Sequence, residues 1–207
     1  MIPSDKDNSW LYVTLAAAAM LMITMGARQA QGLFVFPISG STGVSIVAIS
    51  LAMAVGQFLW GAAAPVAGML GDRFGAARVL FGGVLVLALG TALTPLFTTS
   101  AGLVFTIGVL TAVGSGAGSF SMLVGTVMHR LPPARRGIAA GIITAGGSFG
   151  QFVFAPIIQA LISLWGWMGA MWSLSVIALV ALPLVRPISG PTTGEGAVSA
   201  NQAGANL

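Results

Sequence analysis

Six long apolar stretches, each without a run of charge, fill most of this chain, at about residues 10–37, 44–70, 78–97, 102–128, 137–164 and 167–185. About 20 such residues in a row are what a helix needs to cross the hydrocarbon core of a bilayer. Apolar residues lie all around each predicted span and glycines are scattered inside, as expected for helices packed in lipid rather than water. The connections are short: Ser39–Gly43, Gly71–Ala77, Thr98–Ala101, His129–Arg136 and a corner at Trp165–Gly166. At 57% hydrophobic and 6% charged residues, with mean hydropathy +0.98, a soluble globular domain is excluded. The chain reads as an all-α transmembrane protein.

Charge placement orients the helices. Lys6, Arg73, Arg78, Arg130, Arg135, Arg136 and Arg186 fall at the N-terminus, in the 2–3 and 4–5 connections, or just past the sixth span. The other connections contain no basic residue. By the positive-inside rule both termini are expected in the cytoplasm. The net charge of +4 is thus explained by topology, and no nucleic-acid partner is implied. Residues 1–9 form a short polar cytoplasmic start without the basic n-region of a signal peptide, and the apolar stretch after them is too long for a signal h-region. The first helix is therefore expected to be retained. A six-span domain over 10–186 follows, and then residues 187–207, whose Gly, Ala, Ser, Thr and Asn content predicts a flexible cytoplasmic tail or linker. With no cysteine there is no disulfide framework, thiolate nucleophile or Cys-based metal site.

Between the second and third spans stands GMLGDRFGAARVL, Gly68–Leu80, with Asp72, Arg73 and Arg78 within seven residues. Gly71 and Gly75 are expected to let the chain reverse here. Asp72 falls near the C-terminal end of a helix, where the macrodipole disfavours a negative charge. It calls for a compensating cation, from Arg73, Arg78 or Arg130, or for the N-terminus of another helix.

This string resembles the loop between helices 2 and 3 of the major facilitator superfamily, roughly G-x-L-x-D-R-x-G-[RK]-[RK]-x-[ILV]. Gly68, Leu70, Asp72, Arg73, Gly75 and Val79 match, while Ala76 and Ala77 stand where the family usually carries basic residues and Arg78 is displaced by one. The resemblance implies a six-helix bundle of two inverted three-helix repeats, half of a twelve-span fold. Gly56-Gln57-Phe58 in span 2 recurs as Gly150-Gln151-Phe152 in span 5, with Pro65 and Pro156 downstream. It also implies that Gly68, Asp72, Arg73, Gly75 and Arg78 form a gating loop, with Asp72 gripping a helix of the second half when the cytoplasmic side is shut.

A second string, ARRGIAAGIITAGGSFGQFVFAP at Ala134–Pro156, resembles the helix 4–5 signature of monocarboxylate porters and bacterial oxalate/formate antiporters, roughly [KR]-[RK]-x-L-A-x-G-x-A-x-A-G. Arg135, Arg136, Ala139, Gly141, Ala145 and Gly146 fit it. The lysine that animal monocarboxylate porters carry after a Phe-Pro in helix 1 is replaced here: Phe36-Pro37 is followed by Ile38. That favours the bacterial branch, and with it the inner membrane of a bacterium. Gly137 and Gly141, extended by Gly146 and Gly150, form a small-residue ridge, and Gly114 and Gly118 form another; both are expected to pack helices, statically or as sliding faces.

Arg28 stands apart from the other basic residues. It lies 18 residues after Trp10, roughly 27 Å along a helix at 1.5 Å per residue. A charge at that depth costs at least about 2.5–3.5 kcal/mol on insertion scales and is usually kept for function. A guanidinium offers bidentate, permanent charge to a carboxylate or similar oxyanion. The alternative is an arginine that snorkels to the outer interface. Gln57 and Gln151 are candidate companions lining the same cavity, or else helix-to-helix hydrogen-bonding groups.

Catalytic readings fail on inventory. Gly116–Ser121, GAGSFS, resembles a nucleophile loop, but the one histidine, His129, follows on the same span. No His/Asp/Glu cluster is visible for a metal, and no cofactor is expected. The expected function is secondary active transport of a small organic anion by alternating access, within the lipid bilayer and alongside a second six-helix half or a second copy. The alternatives are a non-transporting fragment or assembly partner, and a channel, which the absence of a ring of pore charges disfavours.

Overall fold

The computed structural model describes residues 9–188; the polar N-terminus and the tail from residue 189 lie outside the described residues. All regular structure among these residues is helical. Helices α1 (Trp10–Thr42), α2 (Ile46–Phe74), α3 (Ala76–Leu96) and α4 (Ser100–Met128) are each long and apolar enough to cross a membrane. The last stretch, Pro133–Ile188, is broken at Gly166, whose φ of 69° lies in the left-handed region, into α5 (133–165) and α6 (167–188). Only a residue without a Cβ takes that conformation at little cost, so a single glycine separates the last two legs.

Several boundaries differ from expectation; α5 begins at Pro133, four residues before the expected 137, and two other differences have a clear physical cause. Helix α1 does not stop at Pro37. It tightens into a 3-10 turn over Ala30–Phe34 and runs on to Thr42, because Pro37 falls in the first turn of Val35–Thr42, where its missing N–H costs little. The reversal after α2 is also tighter than the hairpin read from the sequence. Helix α2 extends through Arg73 and Phe74, and one residue, Gly75 at φ 91°, turns the chain into α3. Gly71 contributes only its carbonyl, which accepts from the Gly75 N–H (2.9 Å). It is buried and helical, and a Cβ there would meet Met122 Cε at 2.5 Å. Its missing side chain makes room for α4.

The core has two apolar ends separated by a middle layer of small and polar residues. One end gathers Met20, Leu21, Leu80, Leu123, Val127 and Ile143; the other gathers Phe34, Ile38, Ile49, Leu103, Ile107 and Ile158. Between them α1 contributes Thr24 and Gly26, α4 contributes Gly114, Ser115, Gly116 and Gly118, and α5 contributes Gly146, Gly147 and Gly150. Lipid tails are as apolar as leucine, so helices in a membrane associate by close packing rather than by escape from water. The small-residue layer is where the backbones approach most closely. A Cβ on Gly150 would overlap the Met22 carbonyl, one on Gly146 would lie 2.7 Å from the Ala18 carbonyl, and one on Gly114 would overlap the Leu87 amide.

Packing between the two halves of the bundle is reciprocal. Gly56 of α2 rests on Ile107 and Gly108 of α4, while Gly150 of α5 rests on Met22 of α1. In both Gly-Gln-Phe triplets the glycine is buried against a helix of the other half. The phenylalanine that follows points away in both: Phe58 is 75% exposed and Phe152 76%. Helices α3 and α6 are joined by hydrogen bonds from Ser175 Oγ to the Ala88 carbonyl (2.8 Å) and from Trp172 Nε1 to the Ala92 carbonyl (3.2 Å).

The ridge at Gly137 and Gly141 behaves differently from its neighbours. Neither glycine meets another helix; a Cβ on either would enter open space. Gly150→Ala is therefore expected to lower stability by about 1–3 kcal/mol through overpacking, whereas Gly141→Ala should be neutral or slightly stabilising, since alanine is the better helix former. Unfolding midpoints of the two purified variants in one detergent would separate them; equal midpoints would refute the packing assignment.

Candidate functional site

Arg28 ends the regular part of α1, just before the 3-10 turn. Its guanidinium crosses to α2, where Nη2 donates to Gln57 Oε1 and the plane lies 4.3 Å from the centroid of the Trp60 ring. Gln57 and Trp60 are three residues apart, hence neighbours on one face of α2. A cation over an indole face is favourable, more so where water is scarce. Gln57 occupies one N–H and Trp60 one face, so of the five guanidinium donors others remain to receive an oxyanion.

Next to this group α4 is interrupted. Helical geometry stops at Ala117, Ser119 is extended (φ −68°, ψ 160°), and the helix restarts at Phe120. A break at membrane depth exposes carbonyls that lipid cannot satisfy. Thr24 of α1 compensates: its buried Oγ1 lies 3.1 Å from the Gly118 carbonyl and 3.1 Å from its own Met20 carbonyl. Thr24 sits four residues before Arg28, on the same face of α1. Gly116, two residues before Gly118, lies beside the Trp60 carbonyl. Trp60 Nε1 and Ser119 Oγ in this region are buried with no hydrogen-bond partner among the described residues.

The structure thus brings Arg28 and Gln57 together and adds Trp60 and Thr24, which the sequence reading did not single out, and Ser119 of the GAGSFS string. The available signal was spacing: Gln57 with Trp60, and Thr24 with Arg28, are helical neighbours. Gln151 does not join them; it is exposed on α5 with no hydrogen bond among the described residues. Gly118 meets Thr24 of α1, while Gly114 meets α3, so this pair serves two different helices. The GAGSFS string is the interruption in α4, and His129 is exposed. Among the described residues no group of three His, Cys, Asp or Glu side chains could hold a metal.

At the basic end, Gly68 lies in α2 with open space where a Cβ would be. Asp72 is exposed and forms no ion pair among the described residues. The cations considered as its partners are engaged elsewhere. Arg73 lies over the Phe74 ring at 5.3 Å, Arg78 Nη1 donates to the Phe74 carbonyl (3.2 Å), and Arg130 Nη1 donates to the Pro187 carbonyl (3.2 Å). Arg78 thereby caps the C-terminus of α2, satisfying a carbonyl and the dipole together. Partial burial lowers the pKa of Arg130 by desolvation. Arg135, at the start of α5, lies 5.0 Å from the Trp10 ring.

These features define a polytopic, all-helical integral membrane protein. The chain belongs to the Major Facilitator Superfamily, whose family model matches residues 15–202. It is 29% identical over 160 residues to an oxalate:formate antiporter of Oxalobacter formigenes, covering 77% of this chain and 37% of that protein. It is 31% identical to human monocarboxylate transporter 11, covering 89% of this chain and 41% of the relative. With bovine monocarboxylate transporter 13 it shares 27% identity over 90% of this chain and 44% of the relative. The chain therefore spans less than half the length of the curated relatives it matches.

Thr24→Val should remove the bond to Gly118 while keeping the side-chain shape. The expected loss is about 0.6–1.7 kcal/mol, the range for hydrogen bonds between membrane helices, with Thr24→Ser near wild type. Chemical unfolding of both variants in micelles checks this, and an unchanged Thr24→Val protein would show that the α4 interruption is held by other contacts.

Proposed function

We propose that this chain is the N-terminal-type half of a secondary transporter for small organic anions, working by alternating access against a second six-helix half. The observation that carries this reading is Arg28, a permanent cation within the bundle, held by Gln57 and the Trp60 face with donors to spare. A monocarboxylate or dicarboxylate would bind its guanidinium in two-point fashion. The unpartnered Trp60 Nε1 nearby supplies a further donor. Relatives named for oxalate, formate and monocarboxylates support an anionic substrate. The exposed faces of α2 and α5, including Phe58, Gln57, Gln151 and Phe152, are the surfaces offered to the second half or to a second copy.

The basic residues cluster at the end of the bundle that carries the 2–3 and 4–5 connections, which supports a cytoplasmic location for that end and for both termini. The likeness to a bacterial antiporter supports the inner membrane. No catalysis is part of this reading. Asp72 is the gate latch: at a helix C-terminus, with no cation paired to it among the described residues, its carboxylate is available to the second half in the state closed to the cytoplasm.

In the full-length protein reconstituted in liposomes, Arg28→Ala should weaken apparent affinity for an oxalate or monocarboxylate substrate by about 10- to 150-fold, the equivalent of one charged hydrogen-bonding partner. Arg28→Lys, which keeps charge but not the fork, should fall between. Uptake by Arg28→Ala with wild-type rate and affinity would overturn the substrate assignment.

The latch makes a separate prediction. At matched membrane abundance, Asp72→Asn should keep substrate affinity and slow turnover, by destabilising the closed state. A purely solvated carboxylate would leave turnover unchanged, and that result would remove the latch from the mechanism.

A further inference from the structure

Away from the Arg28 site, the start of α3 and the end of α6 enclose a groove of about 580 Å³. It is built from simple local geometry. Once Gly75 has turned the chain, Ala77, Arg78, Phe81 and Gly82 fall at helical neighbour positions on one face of α3. Opposite them, α6 tightens into a 3-10 turn at Leu182–Leu184, around Pro183, before Val185–Ile188 carries Arg186. Gly82 leaves open space where a side chain would be. The floor is apolar, and the two charged residues of the lining, Arg78 and Arg186, are exposed.

No carboxylate answers those cations among the described residues. Asp72 pairs with neither, and Arg78 uses one N–H on the Phe74 carbonyl. From the groove an apolar stripe continues along α3, with Phe81, Leu85 and Leu89 exposed at successive turns, a path of roughly 12 Å. Two cations over an apolar cleft that leads into the hydrocarbon match one ligand architecture: a phosphodiester headgroup with an acyl chain below it. A free anion would leave the apolar floor unused, and a neutral apolar molecule would leave the arginines unused.

We propose that this groove is a binding site for an anionic phospholipid, its phosphate between Arg78 and Arg186 and an acyl chain along Phe81, Gly82 and Leu182. The leaflet, though not the site, follows from the orientation proposed above, which makes it the cytoplasmic one. The site is independent of Arg28, so its test does not depend on transport.

The experiment is native mass spectrometry of the purified chain in detergent, titrated with phosphatidylglycerol or with phosphatidylcholine of identical acyl chains. One phosphatidylglycerol should be retained in preference to phosphatidylcholine. The double variant Arg78→Gln, Arg186→Gln should reduce its retention by at least about tenfold, since both charged hydrogen-bonding partners of the phosphate are lost. Gly82→Leu, with both arginines present, should reduce it comparably by filling the groove, and glycerol phosphate without acyl chains should not compete. Equal retention of the two lipids would overturn the proposal, as would undiminished binding by the double variant or effective competition by glycerol phosphate. So would phosphatidylglycerol retention that emerged only after deletion of residues 189–207, since the groove would then belong to the chain's own tail.

Discussion

Close approach of helix backbones through glycine, at the middle of the bundle, is the interaction on which the rest of this structure depends. In lipid there is little gain in bringing one leucine-covered helix against another, so contact at van der Waals distance must supply the association. Gly146 and Gly150 bring α5 onto α1, Gly114 brings α4 onto α3, and Gly56 brings α2 onto α4. Each contact lets bulkier side chains interdigitate above and below, which accounts for two apolar clusters rather than one. A single added methyl at Gly150 would push α5 off the helix that carries Arg28.

The same layer makes room for polar groups. With the backbones close, Thr24 can reach the carbonyl left open at Gly118, and Arg28 can reach across to Gln57 and Trp60. A lone arginine within apolar spans would be costly; here an amide oxygen and an indole face hold it. At the basic end the arrangement is reversed. Arg73, Arg78, Arg130, Arg135 and Arg136 there bond carbonyls or lie over rings, whereas Asp72 has no ion-pair partner among the described residues.

Much of the architecture was legible in the residues. The length and apolarity of the spans, the charged string at Gly68–Leu80, and the isolation of Arg28 need no neighbours to interpret. Finer assignments were not legible. Gly137 and Gly141 share the spacing of Gly146 and Gly150, yet the first pair faces open space and the second pair faces α1. Gly71 and Gly75 looked like two halves of one turn; one packs against Met122 and the other reverses the chain. The interruption of α4 carries no proline, and Trp60 reads as one more apolar residue until Arg28 is seen to lie over it.

The sequence by itself determined that this chain spans a membrane and where charge must gather. Those properties follow from local quantities: a run of about 20 apolar residues matches the bilayer core, and a helix satisfies its backbone within its own segment. Only the tertiary structure decided which face of each helix turns inward. In a span that is apolar all round, no polar stripe marks the buried side. The rotation of each helix is set by which small residues find a partner backbone across the bundle, and that is a property of pairs of helices.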